Sequence, residues 1–574
     1  MTLSRRVLVL ALGLAAPALS LAADQGQTPP AEAGPPPINL SLSEAVKLAF
    51  ENSLEIRVLR YTPQIRENDI QFQEAVFDPA LTATVYKADN SRPSQNVFDI
   101  GTSGTIVSID STVNDYAVGF IDRLRWGASY SANLGMTRLT SSSRNAVFPT
   151  TYQTSFELAY NQSLLRNFGP TANKTGIVIA QNNEQISRSQ FRQQVLDILK
   201  ITEEAYWELV YARQDLEVKN ESLRLAQELL KLNKIKVQVG TLPPIEITTA
   251  EAEVANREQG VIVAENAVQD AEDVLRRIVN MPKSSSEWLR PILTTDEPTY
   301  FDRPFELEKE LQTANDRRPD LEQARLDTKN AEVRLGYDRN QMKWDLNFRA
   351  TYTLLGLSGD SKGLFGDVAV FCADDGVDGV AATGDPGEGD GICESSQPDT
   401  GATPAGPGET LTFASAQFAP TQNENFLDAL EFIRDRDFES WSVSLALGIP
   451  IGNRAAEATY TSSRLAKEQS DIAYERVRLI AEVQVRTAAR AILTSKRRID
   501  AADKNVELQK KKVEAEQKKF ENGMSTSFQV LTFQNDLITA LGTRNRALVD
   551  YRRSVTALEL AKGTLDEYLQ VSIR

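Results

Sequence analysis

The amino-acid sequence predicts a mixed α and β fold in which short strands alternate with very long helices, and in which the whole arrangement occurs twice. Three observations support this prediction. Several segments of about ten residues alternate between polar and apolar side chains. Two other segments repeat apolar residues every seven positions, and the chain resembles itself at an offset of 283 residues.

The first 23 residues have the pattern of a secretory signal. Arg5 and Arg6 precede an apolar stretch, and Ser20 and Ala22 suit the positions before a cleavage site. We therefore expect an exported chain, followed by a disordered Pro-rich segment over residues 24–40. No later apolar run reaches the roughly 18 residues that a membrane-spanning helix requires, which argues against a helical membrane protein.

Composition excludes several classes of function. The 63 basic and 79 acidic side chains give a net charge of −16, which argues against a nucleic-acid partner. The chain has no histidine and only two cysteines, Cys372 and Cys393, so neither a zinc site nor a thiol nucleophile is expected. We predict no catalytic residues, no metal and no cofactor, and a disulfide between the two cysteines of an exported chain.

The first structural repeat is expected over residues 41–303. A helix is predicted over residues 41–77, with Ser41 or Ser43 as its cap and Pro79 after its end. Four alternating segments then predict strands; they lie around residues 81–85, 116–120, 128–134 and 156–160. The middle two either add a hairpin to a membrane barrel or lie outside it.

The second repeat is expected over residues 304–574. A helix over residues 304–343 is followed by strands around 346–352 and 441–447, with an insertion over residues 359–434 between them. Between Gly363 and Ile433 this insertion has thirteen acidic residues and no basic ones. Such a composition predicts a solvated external loop. Calcium binding is a second interpretation, although the acidic spacing does not match an EF-hand.

A long helix is predicted in each repeat, from near Ile177 to Gly240 and from near Ala455 to Gly523. At 1.5 Å per residue these helices are about 93 to 102 Å long. Seven-residue spacing predicts coiled-coil packing. The heptad positions of the two helices correspond at the offset of 283 residues; they are Leu209, Leu216, Leu223, Leu230 and Val237, and Ile492, Ile499, Val506, Val513 and Phe520.

Each long helix is expected to end in a tight turn. Glycine at the turn permits the left-handed conformation that ends a helix. The two tips are predicted near residues 240–246 and 523–529, and the return helices near Ile247 and Val530.

Strands and helices have different predicted surroundings. Strands of 8 to 12 residues match a bilayer when tilted, whereas charges such as Lys510, Lys511 and Lys512 keep the helices in water. Strands in lipid must close into a barrel, and four to six strands are too few to enclose an aqueous channel. Several copies of the chain are therefore expected to share one barrel.

Several segments resemble the TolC-like outer-membrane efflux proteins. They are LSLSEAVKLAFENSLEIR, RRPDLEQARLDTKNAEVRLGYDRNQMKWDLNF, the turns LLRNFG and IPIGN, and the hairpin tips VGTLPPIEITTAEAEVA and NGMSTSFQVLTFQNDL. The resemblance implies a homotrimer in the outer membrane of a Gram-negative-type bacterium. Its β-barrel, with at least four strands per protomer, would be continuous with a periplasmic α-helical coiled-coil barrel.

The resemblance also implies the function and the partners. The trimer would be an exit duct for efflux or type I secretion, surrounded by outer-membrane lipid and driven by an inner-membrane transporter. A periplasmic adaptor (membrane fusion) protein would dock at the helical tips. The candidate docking residues are Gly240, Thr241, Leu242, Glu246, Gly523, Met524 and Ser525.

The candidate periplasmic constriction lies in the second tip. The family typically has the string V-D-V-L-D there, and this chain has Gln529 and Thr532 at the two acidic positions. Asp536, one turn further, is a candidate substitute. The constriction prediction therefore comprises Gln529, Thr532 and Asp536.

Two other classes of function are weighed. A periplasmic coiled-coil adaptor, or another secreted binding protein, would have a single hairpin and no membrane strands. A surface adhesin or hydrolase that uses the acidic loop would need a convergent set of catalytic residues, and the sequence offers none. The transported substrate, and the choice between efflux and secretion, stay open.

Overall fold

The structure is a computed structural model that describes residues 37–94, 106–143, 146, 148–281, 288, 290–300, 306–359, 368–369, 413–414 and 425–573. Two compact units are present. The first comprises the described residues within 1–53, 198–303 and 491–556, and the second those within 54–197, 304–490 and 557–574. Each unit contains parts of both predicted repeats.

Within the described residues, both repeats keep the predicted order of helices, strands, a long helix and a return helix, and they contain further short elements that were not predicted. The strands are β1 (Ile38–Leu40), β2 (Ala80–Pro93), β3 (Ser108–Arg123), β4 (Ala128–Ser141), β5 (Thr150–Ser163), β6 (Ile292–Thr294), β7 (Asp345–Gly359), β8 (Val368–Ala369), β9 (Phe413–Ala414) and β10 (Glu439–Gly448). The helices are α1 (Leu42–Asn52), α2 (Leu54–Leu59), α3 (Tyr61–Glu74), α4 (Pro170–Asn173), α5 (Thr175–Gln238), α6 (Ile245–Val279), α7 (Leu307–Arg317), α8 (Pro319–Gln341), α9 (Phe426–Asp435), α10 (Arg454–Glu521), α11 (Ser527–Lys562) and α12 (Leu565–Tyr568).

The start of the first unit corrects one prediction. Residues 38–40, expected to be disordered, form β1, which pairs in parallel with β6. Leu40 is buried with Tyr206, Trp207 and Leu275 in the core of this unit. The Pro-rich sequence before this short strand gives no strand signal. β1 is stabilised by its pairing with β6 and by the burial of Leu40, and neither contact can be read from the local sequence.

The two helices predicted before the strands are interrupted. The first is divided into α1, α2 and α3, and Ser41 rather than Ser43 caps α1 through a capping box with Glu44. The second is divided into α7 and α8, because Pro319 occupies the first position of α8 and has no N–H to continue the preceding helix.

The long helices confirm the heptad prediction. α5 has 64 residues and α10 has 68, so their lengths are about 96 and 102 Å. All ten predicted heptad positions are buried or half-buried. The return helices α6 and α11 begin at Ile245 and Ser527, two to three residues before the predicted positions.

Backbone conformation repeats at the predicted offset. Three pairs of residues with positive φ are each 283 positions apart; they are Gly169 and Gly452, Gly240 and Gly523, and Asn280 and Gly563. The pairs of Gly240 and Gly523 and of Asn280 and Gly563 follow helix C-termini, where a residue with positive φ ends the helical hydrogen bonding. The pair of Gly169 and Gly452 instead precedes the N-termini of two helices. The structure thus keeps the same three turns in both halves of the chain.

One six-stranded antiparallel sheet lies in the second unit, in the order β10, β7, β5, β4, β3, β2. β3 and β4, the middle pair of the first repeat, belong to this sheet. Relative to the second repeat, they are an insertion between β2 and β5. Within the described residues, β2 and β10 are the edge strands of this sheet.

The insertion of the second repeat is more than a solvated loop. β8 and β9 pair with each other, and α9, which begins at Phe426 and ends one residue beyond the predicted insertion, packs against the sheet. The acidic composition conceals α9, whose Phe426, Ala429 and Phe432 have helical spacing. Cys372 and Cys393, the predicted disulfide, lie outside the described residues.

Candidate functional site

The tip of the first hairpin is a glycine turn. Gly240 has φ +82°, and the N–H of Thr241 donates to the carbonyl of Lys236 at 2.8 Å. The Thr241 hydroxyl donates to the same carbonyl at 2.9 Å. Pro243 and Pro244 then lead directly into α6, and their fixed φ angles suit the start of a helix. The turn is therefore closed by its own backbone.

The tip of the second hairpin has the same backbone pattern. Gly523 has φ +76°, and the N–H of Met524 donates to the carbonyl of Lys519 at 2.9 Å. The hydroxyl of Ser525 donates to Glu516 at 2.6 Å, and this bond, followed by the contact with Lys519, lowers the pKa of Glu516. A side-chain contact thus ties this turn back to its helix.

The two tips, which both belong to the first unit, contact each other. The ammonium of Lys236 donates to the carbonyl of Phe520 at 2.5 Å and lies 4.0 Å from the centre of the Phe520 ring. The hydroxyl of Ser527 is hydrogen-bonded to the carboxylate of Glu246. Leu229, Phe520, Val530 and Leu531 form a buried apolar cluster between them. The chain therefore presents a joined pair of tips.

The predicted docking residues divide into two groups. Gly240, Thr241, Gly523 and Met524 are exposed. Leu242, Glu246 and Ser525 are half-buried and contact the neighbouring tip or their own helix. The second group therefore stabilises the tips and offers little surface to another protein.

Four apolar side chains at the tips are exposed, and three of them were not predicted. Val239, Ile245, Met524 and Phe528 are 64 to 73% exposed, and only Met524 was among the candidates. Val239, Ile245 and Phe528 are apolar residues outside the heptad positions, which is the sequence signal that would have found them. We call these four residues the apolar tip surface.

The candidate constriction has little free negative charge. Gln529 is half-buried, and the Thr532 hydroxyl donates to its own helix at the Phe528 carbonyl, 2.8 Å away. The carboxylate of Asp536 lies 3.2 Å from the ammonium of Lys512. Lys512 also lies 3.8 Å from the centre of the Phe533 ring. The charge of Asp536 is thus balanced by an ion pair within the same chain.

The sheet of the second unit has two chemically different faces. Across its six strands, one row of paired residues is apolar; it consists of Leu81, Phe120, Ala132, Leu158, Tyr352 and Trp441. The adjacent row points to the opposite face and is mostly polar or small; it consists of Thr82, Gly119, Asn133, Glu157, Thr353 and Ser440. Leu81 and Trp441 are about three-quarters exposed, at 75 and 74%.

The described residues contain no group of three or more acidic or cysteine side chains positioned to hold a metal ion. Among the helices described, none is both long enough and apolar enough to cross a membrane.

Comparison with known families gives one match. The family model for outer membrane efflux proteins matches the chain twice, over residues 129–281 and 414–564. The two matched segments end 283 residues apart, which is the predicted repeat offset. A search of curated proteins gives no match.

Solved structures with the same fold include three outer-membrane proteins, two of them described as channels. The Campylobacter jejuni CmeC outer membrane channel is 13% identical, with 91% of this chain and 86% of that chain covered and a TM-score of 0.56. The Vibrio cholerae outer membrane protein VceC is 13% identical, with coverages of 91% and 96% and a TM-score of 0.56. The Neisseria gonorrhoeae MtrE outer membrane channel is 14% identical, with coverages of 91% and 89% and a TM-score of 0.55.

The family match decides between the classes of function weighed above. A periplasmic adaptor with one hairpin and no membrane strands does not fit a chain with two hairpins and a six-stranded sheet. The matched family is one of channels rather than enzymes, which also disfavours a hydrolase. With more than half of its residues matched, the chain belongs to the outer membrane efflux protein family and forms an efflux duct of the outer membrane.

Proposed function

We propose that three copies of the chain join their sheets into one barrel of eighteen strands, which crosses the outer membrane. The observation that supports this proposal most is the two-faced sheet with open edges at β2 and β10. A sheet edge left unpaired in lipid is costly, because its N–H and C=O groups find no water. Edge-to-edge pairing between copies removes both edges at once.

The two faces indicate the orientation of the sheet. The face with Leu81, Leu158 and Trp441 would contact lipid, and the polar face would line the channel. Six strands per protomer and three protomers give a barrel in the size range of porins, whose interior holds an aqueous channel. The long helices would then continue from the barrel into the periplasm.

We infer that the apolar tip surface docks a periplasmic adaptor protein, which couples the duct to an inner-membrane transporter. Exposed apolar side chains at the end of a solvated helical hairpin cost solubility, and they are typical of a surface that another protein covers. In the absence of the adaptor, the joined tips would hold the periplasmic end closed.

The oligomer is tested on the purified full chain in detergent. We expect a species with three times the mass of one chain in native mass spectrometry, which resists sodium dodecyl sulfate until it is heated. A monomer that migrates identically before and after heating would contradict the shared barrel.

Docking is tested by a photo-reactive amino acid at Met524 in living cells. The expected cross-linked product contains a periplasmic adaptor. The matched control is the same substitution at Ile472, an exposed apolar residue of α10 that belongs to the second unit. Equal cross-linking of the adaptor from both positions would argue against docking through the tips.

A further inference from the structure

α9 packs on the apolar face of the sheet, next to the strand ends that are joined by the two insertions. Phe426 contacts Tyr116 of β3 and Tyr152 of β5, with ring centres 6.3 and 5.0 Å apart. Ala429 is fully buried against the sheet. α9, which ends the insertion of the second repeat, therefore packs on β3, which is part of the insertion of the first repeat.

Thr154, Gly356 and Ser358 of the sheet contact the backbone of α9, and we call these three residues the helix seat. Thr154 donates its hydroxyl to the carbonyl of Ala429 at 2.8 Å, and Ser358 donates to the carbonyl of Asn425 at 2.9 Å. Both hydroxyl side chains are almost completely buried, at 2 and 1% exposure. Gly356 is required for close approach, because a Cβ at this position would lie 1.9 Å from the Ala429 carbonyl oxygen.

The apolar stripe of β7 ends where this seat begins. Along the face, β7 presents Leu346, Phe348, Ala350, Tyr352 and Leu354, followed by Gly356 and Ser358. The ten residue steps from Leu346 to Gly356 cover about 34 Å along the strand. With the usual tilt of 35 to 45° this is a height of roughly 26 Å, close to the 25 Å of the apolar band of an outer-membrane barrel.

The two sides of α9 also differ in polarity. Phe426 and Ala429 face the sheet, whereas Glu431, Arg434 and Asp435 are exposed on the other side. A charged side cannot lie among acyl chains without a large cost. Leu427, 71% exposed, is the apolar residue on this outer side. The helix therefore fits the boundary between hydrocarbon and water.

We propose that α9 lies in the headgroup layer of the outer leaflet, as an interfacial helix fixed to the outside of the barrel. This inference rests on the proposed function, since it requires the apolar face to contact lipid. The charged side of α9 contacts headgroups, and Leu427 contacts the upper ends of the acyl chains. α9 thus fixes the depth of the sheet in the membrane.

The test uses the full chain in phosphatidylcholine liposomes, with Cys372→Ser and Cys393→Ser as the background. A fluorophore is attached through Leu427→Cys, and in separate samples through Val443→Cys and Ser444→Cys, adjacent residues on the apolar and polar faces of β10. Quenching is compared between a nitroxide in the lipid headgroup, a nitroxide near the acyl-chain end, and aqueous iodide.

At position 427 we expect headgroup quenching to exceed chain-end quenching about twofold. Position 443 should show the reverse order, and position 444 should respond to iodide alone. Suppose that the label at 443 is quenched by a lipid nitroxide, but the label at 427 is quenched only by iodide or mainly by the chain-end nitroxide. The proposal of an interfacial helix is then wrong, whereas the proposed barrel is supported. If 443 is not quenched by either lipid, the proposed barrel itself fails, and the inference with it.

A second variant tests the seat. Gly356→Ala should release α9 and move the quenching of the label at 427 from headgroup nitroxide to iodide. The matched control is Gly448→Ala on β10, where a Cβ would meet its nearest atom at an ordinary 3.4 Å. Unchanged quenching in Gly356→Ala, with the heat-resistant oligomer intact in both variants, would show that this contact does not hold the helix.

Discussion

At the scale of single residues, burial and pairing decide which charges are available for function. Lys512 and Asp536 neutralise each other at the second tip, each side chain being 43% exposed. Exposed ion pairs of this kind contribute little to stability, about 0 to 1 kcal/mol. The pair matters more for the electric field near the tip than for stability, because each charge compensates the other.

Removing either member of this pair should therefore change ion selectivity. We expect Lys512→Met to favour cations and Asp536→Asn to favour anions, because each leaves one uncompensated charge per protomer. The measurement is the reversal potential of single channels in a salt gradient. The double variant serves as the control and should resemble the unmodified protein. Equal reversal potentials in all four proteins would show that the pair does not face the ion path.

A buried carboxylate in the first unit makes stability depend on pH. Glu203 is 1% exposed, and burial raises its pKa above the ordinary value of 4.5, although Trp207 donates a hydrogen bond to it at 3.2 Å. A raised folded-state pKa means that this carboxyl stabilises the fold most below pH 4.5. The contribution is lost as the pH rises through the folded-state pKa.

Glu203→Gln should remove this loss and keep an acceptor for Trp207. We expect its melting temperature to exceed that of the unmodified protein by a few degrees at pH 8, and the difference to vanish at pH 4. Thermal unfolding followed by circular dichroism checks this, with Glu217→Gln on the exposed side of the same helix as the control. A difference independent of pH would contradict a role for ionisation.

At the scale of elements, the hairpins depend on one glycine each. Gly240 and Gly523 have open space around the position of a Cβ, so only their left-handed backbone restricts substitution. An L-residue in that conformation costs roughly 1–2 kcal/mol. The turn, rather than the packing around it, therefore selects glycine.

Gly523→Ala should accordingly loosen the second tip by about 1 kcal/mol. Hydrogen exchange of the amides around Met524 would rise by about fivefold, since 1 kcal/mol changes an opening equilibrium by that factor. Gly542→Ala, in the interior of α11 with Asp215 at an ordinary 3.8 Å, is the matched control and should slow exchange instead. Faster exchange in both variants would indicate a packing effect.

The sequence predicted these elements unequally. Heptad spacing located α5 and α10 within a few residues, and glycine marked both turns, because both signals are local. The pair of Lys512 and Asp536 joins two helices, so it depends on a packing register that spacing does not give. α9 was not predicted for a different reason. It has few apolar residues, and its packing depends on Thr154, Gly356 and Ser358, which lie on strands distant in the sequence.

At the scale of the whole molecule, the two repeats differ by what is inserted between corresponding strands. The first repeat adds β3 and β4, and the second adds the acidic segment that ends in α9. Without β3 and β4, β2 and β5 would become neighbours. They run antiparallel, and the row that joins Leu81 to Leu158 keeps both on the apolar face.

Deletion of residues 108–141 should therefore leave a closed barrel with four strands per protomer. Barrel diameter grows roughly linearly with strand number, so we expect about two-thirds of the original diameter. Electron microscopy of the trimer measures this directly. The heat-resistant trimer must persist as the control for assembly. An unchanged diameter would show that β3 and β4 lie outside the barrel wall.

If the polar face of the sheet lines the channel, as proposed above, it is the surface that a transported molecule meets. Its side chains are largely hydroxyls and small groups, and Glu157, one of its charges, lies 4.0 Å from Arg349. Such a wall can form hydrogen bonds, but it has little net electric field and few apolar groups that could bind an apolar solute. A transported molecule would interact only weakly with this wall, whatever the sign of its charge. Selection between transported molecules would then take place at the periplasmic entrance rather than within the barrel.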